Sequence, residues 1–174
     1  AYSRAFLAQH PIINTEIARA RSAGGHVVYT ADWHPPVTPH FAKDGGVWPV
    51  HCVGDTWGAA FHPNLIVDGP VVRKGTGGED GYSGFSMKDP EGDTVTETGL
   101  RGQLQRWGVE RIVVCGLATD YCVKATALDG VTHEYEVTVL QNAVRSVDLE
   151  AGDGERAVAE MEAAGCILVE TAAS

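Results

Sequence analysis

A three-layer α/β/α fold built on a central, mainly parallel sheet is what this chain predicts. Three observations carry that expectation. Helical and extended patterns alternate along most of its length. The extended runs are continuously apolar rather than alternating, as in strands covered on both faces. Chemically useful side chains fall at or just past the ends of those runs, where ligands sit in open parallel sheets.

Each element has its own signal. Residues 12–23 carry helical spacing, with Ile13 and Ile17 on one face, and Gly24 and Gly25 stop the helix. Residues 26–30 read as a short strand running into Asp32. A stretch punctuated by proline and glycine follows from Pro35 to Pro63, then extended pieces at 65–67 and 71–74. Residues 75–91 are glycine-rich and irregular, which suits an active-site loop. Residues 99–107 form a helix with Leu100, Leu104 and Trp107 on its apolar side. A strand at 111–115 leads through a turn into a helix at 120–129. A strand at 137–140, a helix at 155–164 and a strand at 167–169 complete the pattern.

Bulk properties narrow the function classes. A chain of 174 residues is one domain with room for a real core. A net charge of −10 argues against nucleic acid and anionic membrane surfaces as partners. No apolar run is long enough to span a bilayer, and no signal peptide opens the sequence, so a cytoplasmic protein is expected. The four cysteines, at 52, 115, 122 and 166, form no CxxC pair and no disulfide spacing.

Cys122 is the most informative residue. The apolar run Ile112, Val113, Val114 feeds a turn, and a helix pattern follows, so Cys122 is expected in the first turn of a helix beyond a strand's carboxyl end. Helix-start N–H groups favour a thiolate and should lower its pKa, and they can receive the oxyanion of a tetrahedral intermediate. For an arbitrary cysteine a small buried hydrophobe is the commoner role; the strand–turn–helix context and an upstream histidine cluster favour catalysis.

That cluster begins with Asp32 and His34, at i and i+2 on one side of an extended segment. His40 and His51 follow. Imidazoles with one carboxylate suit a borderline divalent ion such as zinc, manganese or iron. Any single one of these histidines could equally be an ordinary loop residue. Lys74 ends an apolar run and gains interest only through the rim it shares with Cys122. Trp48 and Tyr82 lie in loops expected at the same rim, where flat rings would stack an aromatic substrate; core packing is the alternative. His10, His26 and His133 read as structural or surface residues, and the sequence assigns His62, followed by Pro63, to no motif. Trp33, Trp57, Trp107, Phe61 and Phe85 read as packing residues.

Several of these segments together resemble the nicotinamidases, within the isochorismatase-like cysteine hydrolases. The matching pieces are Thr30-Ala31-Asp32-Trp33-His34, Trp48-Pro49-Val50-His51-Cys52-Val53, Arg73-Lys74-Gly75, Tyr82-Ser83-Gly84-Phe85 and the run from Cys115 to Val123. The resemblance implies a Rossmann-like, isochorismatase-like fold and hydrolysis of nicotinamide, and often of pyrazinamide, in NAD salvage. It implies Cys122 as nucleophile with Lys74 as its partner. It also implies a metal, zinc first with iron or manganese as alternatives, held by Asp32, His34 and His51, with His40 as one more histidine. Trp48 and Tyr82 would flank the pyridine ring. A cis bond between Leu117 and Ala118 would aim the Ala118 and Cys122 N–H groups at the oxyanion. The expected partner is a small molecule, nicotinamide, and a homo-oligomer is left open. A related hydrolase acting on a carbamoyl or ureido substrate, and a metal-binding homologue without turnover, stand as alternatives. A thiol redox protein is disfavoured, because no resolving cysteine lies near Cys122 in sequence.

One departure is evident. The family pattern opens with a central strand carrying a triad aspartate, yet residues 1–31 contain no aspartate and Glu16 sits mid-helix. Residues 1–174 are therefore expected to be a single domain lacking that strand, the native polypeptide carrying an N-terminal extension of roughly 15–35 residues.

Overall fold

In the computed structural model, which describes residues 9–90 and 92–171, the chain alternates between helices and strands as its pattern demands. Helix α1 (His10–Ser22) has Pro11 in its first turn, where a missing N–H costs nothing, and ends before Gly24 at φ +76°. Strands β1 (Tyr29–Asp32) and β2 (Val71–Lys74) pair in parallel, with Asp32 opposite Lys74. A small antiparallel hairpin, β3 (Ser86–Lys88) and β4 (Val95–Glu97), follows. Then come α2 (Leu100–Arg106), β5 (Arg111–Leu117), a π-helical turn (Thr119–Val123), α3 (Lys124–Thr132), β6 (Glu136–Arg145), α4 (Asp153–Ala163) and β7 (Ile167–Val169). Strands β5, β6 and β7 form a second parallel ladder in that order.

The helices cover both faces. On one side Ile13 and Ile17 of α1 pack on Tyr29, Leu140 and Ala143. On the other, Val123 and Ala127 meet Val137, Val139 and Met161, while Leu100 and Leu104 enclose Phe85. Gly130 lets α3 approach the sheet: a Cβ there would lie 2.8 Å from Ile112 Cδ1 and 3.0 Å from Val137 Cγ2. Among the described residues no ladder joins β1–β2 to β5–β6–β7. Val113, in the middle of β5, is 60% exposed, a high value for an apolar residue expected at the centre of a sheet.

Several expectations are corrected. The first strand begins at Tyr29 rather than at residue 26. Residues 65–67 form no strand, because Asn14 of α1 holds that segment instead: its Nδ2 donates to Asn64 O (2.8 Å) and its Oδ1 accepts from Ile66 N (3.0 Å). The loop expected at 75–91 contains β3, and β4 was unforeseen. Strand β6 runs on to Arg145 because a register shift lets Val144 pair with Gly116. Trp57 is not a packing residue; it is 93% exposed on a 3-10 turn.

Candidate active site

The parallel pairing of β1 and β2 creates the first half of the site. Asp32 and Lys74 end their strands directly opposite each other, so their side chains are neighbours. Lys74 is 2% exposed. A buried ammonium needs both charge and hydrogen-bond partners; its Nζ donates to Asp32 Oδ1 and to the Gly81 carbonyl. The same Nζ lies 3.4 Å from Cys122 Sγ. Burial by itself would lower the Lys74 pKa, but the facing Cys122 sulfur and Asp32 carboxylate outweigh it and hold the value above the ordinary one.

Cys122 reaches this point from the other ladder. Strand β5 ends at Leu117, the Leu117–Ala118 bond is cis, and Cys122 lies in the π-helical turn rather than in the first turn of an α-helix. The Ala118 N–H is directed at the thiol. The expected fall in thiol pKa does not occur. Burial pushes Cys122 up, and the lowering pull of Lys74 does not overcome it. A thiol held up in this way needs a base to take its proton before it can attack. Asp120, two residues earlier, is buried and structural: its carboxylate accepts from Val147 N (3.0 Å) and Asp148 N (2.9 Å).

Beyond β1 the chain gathers three imidazoles. His34 N donates to Cys52 O and Gly54 N to His34 O (2.9 Å each), which pins the segment carrying His51 beside β1. His34, His40 and His51 each offer a ring nitrogen, and these lie within 4.8 Å of one another. His51 Nδ1 is 2.7 Å from Pro49 O, an acceptor, so Nδ1 carries the hydrogen and Nε2 keeps its lone pair. His40 Nδ1 is 2.6 Å from Asp80 Oδ1. Gly75, at φ +70°, passes so close that a Cβ would come within 2.6 Å of His34 Nδ1. That nitrogen is buried without a hydrogen-bond partner. Burial, opposed by Asp32, lowers the His34 pKa to about 4, so the ring is neutral at ordinary pH. Three imidazoles, one with an orphaned buried nitrogen, fit a borderline divalent ion.

Asp32 lies between the lysine and the imidazoles. Its carboxylate pairs with Lys74 Nζ, and the ring nitrogens gathered within 4.8 Å of one another are those of His34, His40 and His51. The aromatic residues do converge on the site. Trp48 Nε1 donates to Tyr82 Oη at 2.8 Å, and the Trp48 ring stacks 6.2 Å from His40. Tyr121 completes the group, its ring 4.7 Å from Trp48 and 5.7 Å from Tyr82. Sequence reasoning passed over Tyr121, although it immediately precedes Cys122, and passed over Asp80, two residues before Tyr82. The remaining histidines lie in other ring contacts: His10 stacks on His62 at 5.5 Å, His26 on Trp107 at 4.2 Å, and His133 meets Phe85 edge-on at 5.2 Å. Cys115 and Cys52 are each raised to about 11, chiefly by burial.

A parallel α/β scaffold with a thiol, a charged lysine and a backbone N–H at its strand ends defines a hydrolase of the cysteine type. The isochorismatase domain family matches residues 6–173, and the chain belongs to that family. It is 34% identical to the nicotinamidase of Escherichia coli over 175 residues, 90% of this chain and 80% of that protein. The crystal structure of Pyrococcus horikoshii pyrazinamidase in complex with zinc superposes with a TM-score of 0.80 at 39% identity, covering 93% of this chain and 84% of that one. That of PnC1 from L. infantum in complex with nicotinate gives 0.75 at 36% identity, covering 82% and 70%.

Proposed function

We propose that this protein hydrolyses nicotinamide to nicotinate and ammonia, with pyrazinamide as a second substrate. The observation that carries the reading is a continuous line of rings. His40 stacks on Trp48, and Trp48 meets Tyr121, the residue before Cys122. The imidazole group and the sulfur therefore flank one aromatic patch, an arrangement suited to a flat ring held at one end and attacked at the other. A divalent ion on His34, His40 and His51, zinc being the first choice, would supply a Lewis-acid anchor for a pyridine nitrogen.

The chain's own residues perform the acyl transfer. The Cys122 proton passes to a carboxylate, and Lys74 stabilises the resulting ion pair. The sulfur attacks the amide carbon while N–H groups of Ala118 and Cys122 receive the developing oxyanion; Leu117 presents that peptide to the substrate. The carboxylic acid returns its proton to the leaving nitrogen, ammonia departs, and a thioester remains. Water then attacks the thioester, yielding nicotinate and the free thiol. The proton-accepting carboxylate belongs, in this proposal, to a further parallel strand between β1 and β5. The unjoined ladders and the exposed Val113 support such a strand.

Nicotinate release from nicotinamide, measured before and after chelation on protein of verified intact mass, tests the proposal. Chelation-sensitive release is expected. Ammonia from a carbamoyl or ureido compound but not from nicotinamide would favour a related C–N hydrolase. Full metal occupancy with no release from any amide would favour a binding protein.

A further inference from the structure

We infer that Asp80 is a positioning residue for the metal centre, fixing His40 as a ligand through its Nε2 nitrogen. The inference rests on the metal-dependent reading above. The Asp80 carboxylate lies 2.6 Å from His40 Nδ1, and the His40 side chain is almost fully buried. An ionised carboxylate can only accept, so Nδ1 carries the hydrogen and the Nε2 lone pair is left for a cation. A carboxylate behind a histidine also raises the basicity of the ring and locks its orientation.

The mount is rigid on both sides. Asp80 forms an antiparallel bridge to Lys88, with Asp80 N donating to Lys88 O (2.7 Å) and Lys88 N to Asp80 O (3.0 Å). His40 N donates to Thr38 Oγ1 (3.2 Å), and that hydroxyl donates to Gly78 O (3.2 Å). Two loops forty residues apart are thus tied twice, once through Thr38 and once through His40. The next two residues hold other parts of the site: the Gly81 carbonyl accepts from Lys74 Nζ, and Tyr82 Oη accepts from Trp48. The Trp48 and Tyr82 rings lie 6.2 Å and 6.0 Å from the His40 ring, whereas Asp80 is hydrogen-bonded to its Nδ1, which makes Asp80 the group that fixes the tautomer.

Zinc affinity, read by competition with a chromophoric chelator, tests the role. Asp80→Ala should weaken zinc binding ten- to a hundredfold. Asp80→Asn, which keeps an acceptor but loses the charge, should fall between Asp80→Ala and wild type. His40→Ala should weaken binding by a comparable factor, and Asp80→Ala in that background should change it less than twofold. In His34→Ala the Asp80 effect should persist in full. The histidine nitrogen NMR spectrum of zinc-free wild type should place the His40 hydrogen on Nδ1, a readout independent of any variant. Asp80→Ala binding zinc as wild type does, or an undiminished Asp80 effect in His40→Ala, overturns the role. Wild-type protein that takes up no zinc overturns the metal-dependent reading as well.

Discussion

At the scale of single residues, each chemical group of the site has a neighbour that sets its state. Burial raises the Cys122 thiol against the opposing pull of Lys74, so the proposed attack needs a base for its proton. Cys122→Ala should lower nicotinate release by about 10⁴-fold or more while leaving zinc content unchanged; release at the wild-type rate would remove Cys122 from the mechanism. Asp32 answers to Lys74. Asp32→Asn is expected to lower turnover and to leave zinc bound by the three imidazoles, as metal analysis of the purified variant would report; loss of the metal would return Asp32 to the ligand set. His34 carries the pH dependence. Its folded pKa of about 4 lies below the ordinary 6.5. Its contribution to stability is complete above pH 6.5 and is lost as pH falls towards 4, because the unfolded chain takes up a proton that the folded chain refuses. Urea unfolding of zinc-free protein at pH 7.5, 6 and 4.5 should show this decline, up to about 3 kcal/mol for a shift of this size, and His34→Gln should flatten it.

At the scale of elements, the long strand–helix alternation was legible because periodicity and β-branched runs report burial directly. Residues 111–115 and 167–169 read as strands for that reason, and Lys74 and Cys122 could be placed on one rim from strand ends alone. What could not be read depends on tertiary partners. The 65–67 segment has strand composition, but Asn14 occupies its backbone groups. The start of the Cys122 helix becomes a π-helical turn, and no local pattern announces that. The charge balance at Cys122 and the pairing of Asp32 with Lys74 arise from burial and register, which residue spacing does not encode. Asp120 illustrates an element-scale role hidden within a functional motif: it ties the turn bearing Cys122 to residues 147–148. Asp120→Ala should cost roughly 1–3 kcal/mol in chemical denaturation by leaving two N–H groups unsatisfied; a change below a few tenths would show that water replaces it.

At the scale of the whole molecule, two parallel ladders share their covering helices, and among the described residues β5 pairs on one edge only, with β6. The described residues contain no helix long and apolar enough to cross a membrane. The rim of the candidate site draws on both ladders, Lys74 at the end of β2 and Cys122 just past the end of β5, so their junction sets the 3.4 Å between Lys74 Nζ and Cys122 Sγ. That junction also has a colloidal consequence. Wherever the further strand proposed above does not occupy it, a row of amide and carbonyl groups beside the exposed Val113 is a template for any extended peptide. Solutions of residues 1–174 without that strand should therefore grow turbid, or form higher assemblies by light scattering, as concentration rises. Replacing Val113 with lysine should keep them clear.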